Sequence, residues 1–347
     1  MNRVTLDLQF LPDYPIDLTV EIAKKAESYG FRSICFADEI YYKDPWTTSA
    51  CVARETSTIG IGLGALGVYM RPPPVLAQAL ATLDEISHGR VYSIVSTGNP
   101  YMLEQIGIKI QNPVGAIRDA VRIMRMMWSG EPVTYEGKRF STRGAYTTAR
   151  PTERPIPIYI AVQGGPRLFV LGGEIADGVV TGTGASREYF NYALENIRLG
   201  AHKANRNLAD IELVGAVPCA CAQDSEQARE IIRPLITFYL PSMSPIALSV
   251  ERIDTTKVAG VSQLLFKGDF PSAIKATGDD IVDKLSLHGS PDEIVEKIER
   301  NFIPTGFKRI MLMIPDSTTY AKMGINVEAP SYTQTLQLIK ERVIPHL

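Results

Sequence analysis

The chain has 347 residues, 45% of them hydrophobic, and is long enough to bury one large core. Lysine and arginine number 36 against 38 aspartates and glutamates, so the sequence lacks the basic excess that favours nucleic-acid binding. The amino terminus carries acids and prolines where a secretory signal needs an apolar stretch, and no apolar run reaches the ~18 residues of a membrane span; both features predict a cytoplasmic protein.

Strands and helices alternate through the first half of the chain. Apolar stretches predict strands at residues 4–11, 32–37, 58–64 and 91–97. Helical spacing predicts helices at about 18–29, 47–54, 75–86 and 113–128, and the third of these has an expected buried stripe of Val75, Ala79, Leu83 and Ile86. Residues 131–150 then predict a turn between short strands.

Four further strands are predicted at residues 156–162, 178–181, 213–221 and 310–314. The last two are about 90 residues apart, more than one helix and two loops require, so we expect an insertion at about 236–285. Eight short buried strands alternating with amphipathic helices predict an α/β fold. The prediction is a single-domain (β/α)8 TIM barrel over residues 1–347, with a large insertion between strands 7 and 8.

Neither a metal site nor a disulfide framework is predicted. The four histidines are scattered, and none has a second histidine or a cysteine at a ligand spacing. The four cysteines are interpreted as small buried residues, and a cluster at the end of the fourth helix is interpreted as core packing; the residues are Cys35, Cys51, Cys219 and Cys221, and Met124, Met126, Met127 and Trp128.

Glycine-rich loops follow two neighbouring predicted strands. Gln163, Gly164 and Gly165 follow the fifth strand and precede a helix, so their backbone N–H groups could cradle an anion at the helix start. Thr181 and Gly182, within the segment 181–186, offer a second such cradle after the sixth strand. Either loop alone could be an ordinary turn, but the two together predict one phosphate clamp.

Other candidate residues follow the second, third and fourth strands, where a barrel carries its reactive groups. The carboxylates of the second strand's loop could orient a cofactor or transfer protons, although surface acids are the alternative. The small residues after the third strand suit the close approach of a flat ligand. The loop after the fourth strand offers an amide that either bonds a ligand or forms a turn. These candidates are Asp38 and Glu39; Gly64 and Ala65; and Thr97, Gly98 and Asn99.

Several segments together resemble the bacterial luciferase-like superfamily, in particular the deazaflavin-dependent methylenetetrahydromethanopterin reductases and their relatives. They run in order along most of the chain: AKKAESYGF at 23–31, LDEISHGR at 83–90, WSGEPV at 128–133, GGPR at 164–167 and LHGSPDE at 287–293. The resemblance implies a TIM barrel with an insertion after strand seven, usually dimeric, that binds FMN or coenzyme F420 at the carboxyl ends of the strands.

The same resemblance implies roles for particular positions. A non-prolyl cis peptide that backs the flavin ring in relatives aligns with Gly64–Ala65, and the phosphate-holding loops align with Gly164–Gly165 and Thr181–Gly182. The chain departs from the pattern at Glu39, where several deazaflavin enzymes have His, and at Asn99, where some have Glu. These departures leave the proton-handling group and the substrate open.

Three hypotheses follow from the sequence. The first is an oxidoreductase that transfers a hydride between coenzyme F420 and a small organic substrate, with Asp38, Glu39 and Asn99 as candidate catalytic residues. The second is an FMN-dependent monooxygenase of the same fold. The third is a non-catalytic flavin-binding protein, which the departures at Glu39 and Asn99 would permit.

Overall fold

The computed structural model describes residues 4–11, 13–182, 184–322 and 324–347. Strands and helices alternate in the first half as the sequence predicts. The elements are β1 (Thr5–Phe10), α1 (Ile16–Ser28), β2 (Ser33–Phe36), α2 (Pro45–Glu55), β3 (Gly60–Gly67), α3 (Pro73–Ser87), β4 (Val91–Ser96), α4 (Pro100–Gln105), α5 (Pro113–Met127), and an antiparallel hairpin of β5 (Val133–Glu136) and β6 (Ser141–Ala145).

The second half continues the alternation and adds a run of short helices before the last barrel strand. The elements are β7 (Ile158–Val162), α6 (Pro166–Ile175), β8 (Gly178–Thr181), α7 (Arg187–Lys203), β9 (Glu212–Cys221), α8 (Ser225–Tyr239), α9 (Pro245–Val250), α10 (Thr255–Phe266), α11 (Phe270–Ala276), α12 (Asp279–Leu285), β10 (Leu287–Gly289), α13 (Pro291–Asn301), β11 (Arg309–Met313), α14 (Ser317–Lys322) and α15 (Tyr332–Arg342).

Eight of the described strands close into a parallel barrel in the order β1, β2, β3, β4, β7, β8, β9 and β11, with β11 paired back to β1. This arrangement confirms the predicted TIM barrel. The short β10, which the sequence did not predict, pairs with β9 at residues 219–221, beyond the part of β9 that pairs with β11. Because the barrel strands are parallel, their carboxyl ends meet at one mouth.

The barrel interior has an apolar layer and a charged base. The apolar layer consists of Cys35, Tyr92, Ile94, Tyr159, Val180, Val214, Ala216 and Met311. At the base, the buried Arg309 guanidinium donates to Glu212 at 2.8 Å and to the buried Asp7 carboxylate. The guanidinium also lies 4.7 Å and 5.3 Å from the Tyr92 and Tyr159 ring centroids. This buried cation therefore closes the end of the barrel opposite the mouth.

Three predictions of burial are wrong. Val75 is 42% exposed, because α3 turns the neighbouring column that contains Leu76 and Leu80 toward the barrel. Cys51 is exposed on α2, whereas the other three cysteines are buried. Met126 is 39% exposed, while its neighbours on α5 form the buried face. The patterns around Val75 and Met126 were each compatible with two adjacent helical columns, and contact with the rest of the fold selected one of them; the prediction for Cys51 rested on residue type alone.

No helix among the described residues is both long enough and apolar enough to cross a membrane. Within the same ranges, no three histidine, cysteine, aspartate or glutamate side chains are grouped so that they could hold a metal ion. His288 lies in the core, where its Nδ1 is 2.9 Å from Ser286 Oγ and its Nε2 is 3.2 Å from Asp283. Burial lowers the pKa of His288 to about 4, which favours the neutral ring.

Candidate functional site

The predicted site residues come from loops and strand ends at one mouth of the barrel. Asp38 and Glu39 follow β2, residues 97–99 follow β4, residues 163–165 follow β7, and Thr181 ends β8. Gly64 and Ala65 lie within β3, not after it as the sequence suggested, because β3 extends to Gly67. Glycine carries no apolar side chain, so the stretch 60–67 gave a weak strand signal.

The floor of the mouth is a distortion of β3. The peptide bond between Gly64 and Ala65 is cis, as the resemblance implied, and the register with β4 shifts between Gly64 and Leu66. The Gly64 carbonyl accepts a hydrogen bond from Gln9 Nε2 at 3.1 Å. Ala65 packs on the apolar layer inside the barrel. A small side chain thus lies where the apolar interior meets the mouth.

Two glycines, one in β3 and one in the loop after β4, let the strand and the loop approach closely. A Cβ on Gly67 would lie 3.3 Å from the Gly98 Cα, and Gly98 has a φ of +81° that favours glycine. Thr97 is half-buried beside it, and its hydroxyl donates to the Gly98 carbonyl at 3.4 Å. Asn99 is exposed and directly precedes α4. Its backbone carbonyl accepts a hydrogen bond from the Leu103 N–H within that helix.

The turn at residues 163–165 is open on one side and covered on the other. A Cβ on Gly164 would lie 2.4 Å from Ala247 Cβ in α9, and Gly164 has a φ of +86°. A Cβ on Gly165 would meet nothing within 4 Å. Gly165 precedes α6, whose first turn has no side-chain cap. Pro166 has no N–H, and the N–H groups of Leu168 and Phe169 donate to Gly165 O, so the Gly165 and Arg167 N–H groups are the ones that an anion could reach at this open helix start.

The residues at the end of β8 direct their hydrogen-bonding groups into the protein. The buried Thr181 hydroxyl donates to Val214 O at 3.4 Å, and the Gly182 N–H donates to Val162 O at 2.9 Å. A Cβ on Gly182 would lie 2.6 Å from Gln163 Oε1. These two residues therefore support the turn at 163–165 from behind. Thr183, the next residue of the predicted cradle, lies outside the described residues.

Asp38 is a buried carboxylate with an unpaired oxygen. Its side chain is 7% exposed, and its Oδ2 has no hydrogen-bond partner among the described residues. Burial raises the pKa of Asp38 to about 6; the positive charge of Arg71 opposes this effect, and the negative charge of Asp44 adds to it. Burial also raises the pKa of Glu39, and the Asp38 charge raises it further. Asp38 can therefore exchange a proton near neutral pH, with the Glu39 carboxyl beside it in the chain.

A second unpaired polar atom lies in the first turn of α2, which follows this loop. The Trp46 indole Nε1 is buried without a partner among the described residues. The Arg71 guanidinium lies 5.0 Å from the Trp46 ring centroid and donates to Asp44 Oδ2 at 3.2 Å. Sequence reasoning did not select Trp46, because a single tryptophan in a polar loop carries no spacing signal.

Gln9 was also missed. Asp7 and Gln9 are two residues apart along β1, so their side chains share one face, and the buried Leu6 and Leu8 lie on the other face. That alternation would have placed the Gln9 side chain inside the barrel, toward the floor. The described mouth therefore combines an acceptor at Asp38, a donor at Trp46, a floor at Ala65 and an open helix start at Gly165.

Comparison with known proteins identifies similar chains over nearly the whole length. The 5,10-methylenetetrahydromethanopterin reductase of Archaeoglobus fulgidus is 28% identical over 344 residues, which cover 98% of each chain. The F420-dependent glucose-6-phosphate dehydrogenase of Nakamurella multipartita is 28% identical over 328 residues, 88% of each chain. The solved structure of the coenzyme F420-dependent tetrahydromethanopterin reductase from Methanopyrus kandleri superposes with a TM-score of 0.87 at 28% identity, covering 99% of both chains.

The family model described as luciferase-like monooxygenase matches residues 8–309, a span that runs from β1 to the first residue of β11. The match includes the cis peptide of β3, the turn at 163–165 and the helices between β9 and β11. The chain belongs to the luciferase-like monooxygenase family.

Proposed function

We propose that this chain is an oxidoreductase that transfers a hydride between coenzyme F420 and a small organic substrate. The observation that carries the proposal is the full-length likeness, at a TM-score of 0.87, to a coenzyme F420-dependent reductase. The F420-dependent glucose-6-phosphate dehydrogenase that resembles the chain acts on a different substrate, so the likeness supports the cofactor more strongly than any particular substrate.

The residues at the mouth fit a flat, phosphate-bearing cofactor. Gly64 and Ala65 would lie against the ring, and Thr97 and Gly98 would border it. The N–H groups around Gly165 would hold the phosphate next to the open helix start. Gln163 and Gly164 would shape this turn, while Thr181 and Gly182 would support it. When bound, F420 supplies the carbon that accepts or donates the hydride.

Unpaired buried atoms support this fit. The Asp38 Oδ2 is an acceptor and the Trp46 Nε1 is a donor, and neither has a partner among the described residues. Buried polar groups are nearly always hydrogen-bonded, so a ligand with one donor and one acceptor would complete this part of the site. Asp38 and Glu39 would hold or move a proton, and Asn99 would orient the substrate or cofactor from the rim.

The cofactor can be tested directly. Purified protein is titrated with F420 and, separately, with FMN, and binding is followed by visible absorbance and fluorescence. We expect saturable binding of F420 and weaker binding of FMN. Tight binding of FMN with no affinity for F420 would contradict the proposal and favour the monooxygenase. Binding of F420 without turnover of any alcohol, aldehyde or imine substrate would favour the non-catalytic hypothesis.

The helices between β9 and β11 belong to the proposed site. We take residues 236–285 as an insertion in the single domain, and α9 within it lies over the turn at Gly164. A covered turn would exclude water from the cofactor phosphate. We also propose that the protein is a cytoplasmic homodimer. Light scattering of the purified protein measures its mass in solution and so tests the dimer.

A further inference from the structure

A second cleft opens at the end of the barrel opposite the mouth. It has a volume of about 850 Å³, within the usual range for small-molecule sites. Its lining comes from the end of α5, from the segment 150–157 that leads into β7, and from Asp177 just before β8. The cleft therefore borders the amino ends of β7 and β8, and no residue of the proposed cofactor site lines it.

Three guanidinium groups line this basal cleft: those of Arg125, Arg150 and Arg154. Arg125 is paired with Asp177 at 2.8 Å, so these two charges largely offset each other. The hydrogen bonds of Arg150 go to the carbonyls of Thr147 and Ala149, and the latter measures 2.9 Å. Those of Arg154 go to other backbone carbonyls.

Backbone carbonyls orient these two guanidinium groups without neutralising their charge. Among the described lining residues, Glu153 is the carboxylate that remains to oppose them. A guanidinium has five N–H donors, so each of these arginines retains donors beyond those used on the carbonyls. The basal cleft thus has fixed, unneutralised cations, an arrangement that suits an oxyanion.

Three prolines restrict the backbone of the segment that lines the cleft. Pro151, Pro155 and Pro157 lie in or beside the segment that carries Arg150 and Arg154. A proline fixes its own φ, so ordering this segment around a ligand loses less conformational entropy than it would without the prolines. Trp128 forms part of the wall, and its Nε1 donates to Ala77 O at 2.9 Å.

We propose that the basal cleft binds a small, multiply charged phosphate anion, held by Arg150 and Arg154 with Arg125 beside them. The bound anion would lie at the opposite end of the barrel from the cofactor mouth. Its binding is independent of whether the mouth takes F420 or FMN.

The test is a calorimetric titration of the full chain with inorganic pyrophosphate at low salt, repeated after saturation with F420, or with FMN if FMN is the cofactor that the mouth binds. Saturation matters because pyrophosphate could also enter the phosphate cradle at Gly165. We expect one binding event to persist in the saturated protein. A double variant, Arg150→Gln with Arg154→Gln, should weaken it by about tenfold or more, because both unneutralised donors are lost.

Two further variants separate this effect from unfolding and from bulk charge. Arg54→Gln with Arg122→Gln removes the same charge from exposed positions outside the cleft and should leave the binding constant within about twofold. Glu153→Gln removes the opposing carboxylate and should tighten binding by about two- to fivefold, a gain that a folding defect cannot produce.

Location has its own readout, since the chain has two tryptophans and Trp46 lies at the mouth. In the Trp46→Phe variant, pyrophosphate should change the fluorescence of the remaining Trp128. The proposal is overturned if the saturated protein gives no heat with millimolar pyrophosphate. Equal weakening by both double variants, or loss of affinity in Glu153→Gln, would overturn it as well.

Discussion

The unpaired carboxylate of Asp38 gives a prediction in which stability and activity change in opposite directions. Burial raises the pKa of Asp38 from 3.8 to about 6, so the fold destabilises its charged form. The contribution of this group to stability is fully present below the unfolded-state pKa and is lost as the pH rises through the folded-state pKa. Asp38→Asn keeps the shape of the side chain and removes the charge.

The size of the effect follows from the two pKa values. A difference between 3.8 and about 6 corresponds to about 3 kcal/mol at pH 7.5 and to about 1.5 kcal/mol at pH 5, where the folded carboxyl is mostly protonated. We therefore expect Asp38→Asn to be more stable than the parent protein, by an amount that increases between pH 5 and pH 7.5. Hydride transfer with F420 should fall by roughly 100-fold, because the proton-exchanging group is lost.

The assay is urea unfolding of both proteins at pH 5, 6 and 7.5, with Asp210→Asn as a control at an exposed carboxylate. The control should show no comparable pH-dependent gain. A stability difference that is the same at all three pH values would refute the assignment of a raised pKa to Asp38. A variant less stable than the parent at pH 7.5 would show that the carboxylate has a stabilising partner.

Four other substitutions test the site and its supports. Gly165→Val should weaken F420 binding at least tenfold with little loss of stability, which F420 titration measures. Gly164→Ala should destabilise the fold by about 1–3 kcal/mol, because the φ of Gly164 is positive and α9 covers it; urea unfolding measures this loss. Arg309→Met should cost about 3–5 kcal/mol by leaving the buried Asp7 carboxylate unpaired, and adding Asp7→Asn should recover much of the loss in the same unfolding assay. Glu251→Gln should stabilise the protein more at pH 8 than at pH 5, because burial raises the pKa of Glu251 to about 7 and its charged form is disfavoured in the fold; thermal unfolding at both pH values checks this.

Each of these perturbations has an outcome that contradicts it. If Gly260→Val, which adds the same side chain in open space on α10, weakens F420 binding as much as Gly165→Val does, the phosphate cradle is misplaced. An Arg309→Met protein as stable as its parent would show that the charged base is dispensable. A Glu251→Gln gain that does not change with pH would exclude titration as its cause.

Local patterns in the sequence determined the eight barrel strands, helices α1, α2, α3, α5 and α6, and the hairpin after α5. Apolar stretches, helical spacing and proline or glycine boundaries are local properties, so the chain carries them before it folds. The same reasoning placed the glycine turn at 163–165 and the acidic residues after β2 at strand ends. A parallel barrel then brings such positions to one mouth, whatever the details of packing.

Tertiary structure alone decided burial and pairing at the site. Asp38 is buried and Cys51 is exposed, the opposite of what their residue types suggest. The packing of the rest of the chain around each residue decides this. Thr181 and Gly182 looked like anion donors, yet their hydroxyl and N–H groups bond backbone carbonyls of β9 and β7. The closed barrel determines which residues far apart in sequence form hydrogen bonds and which side chains lose contact with solvent. Neither property has a local signal in the sequence.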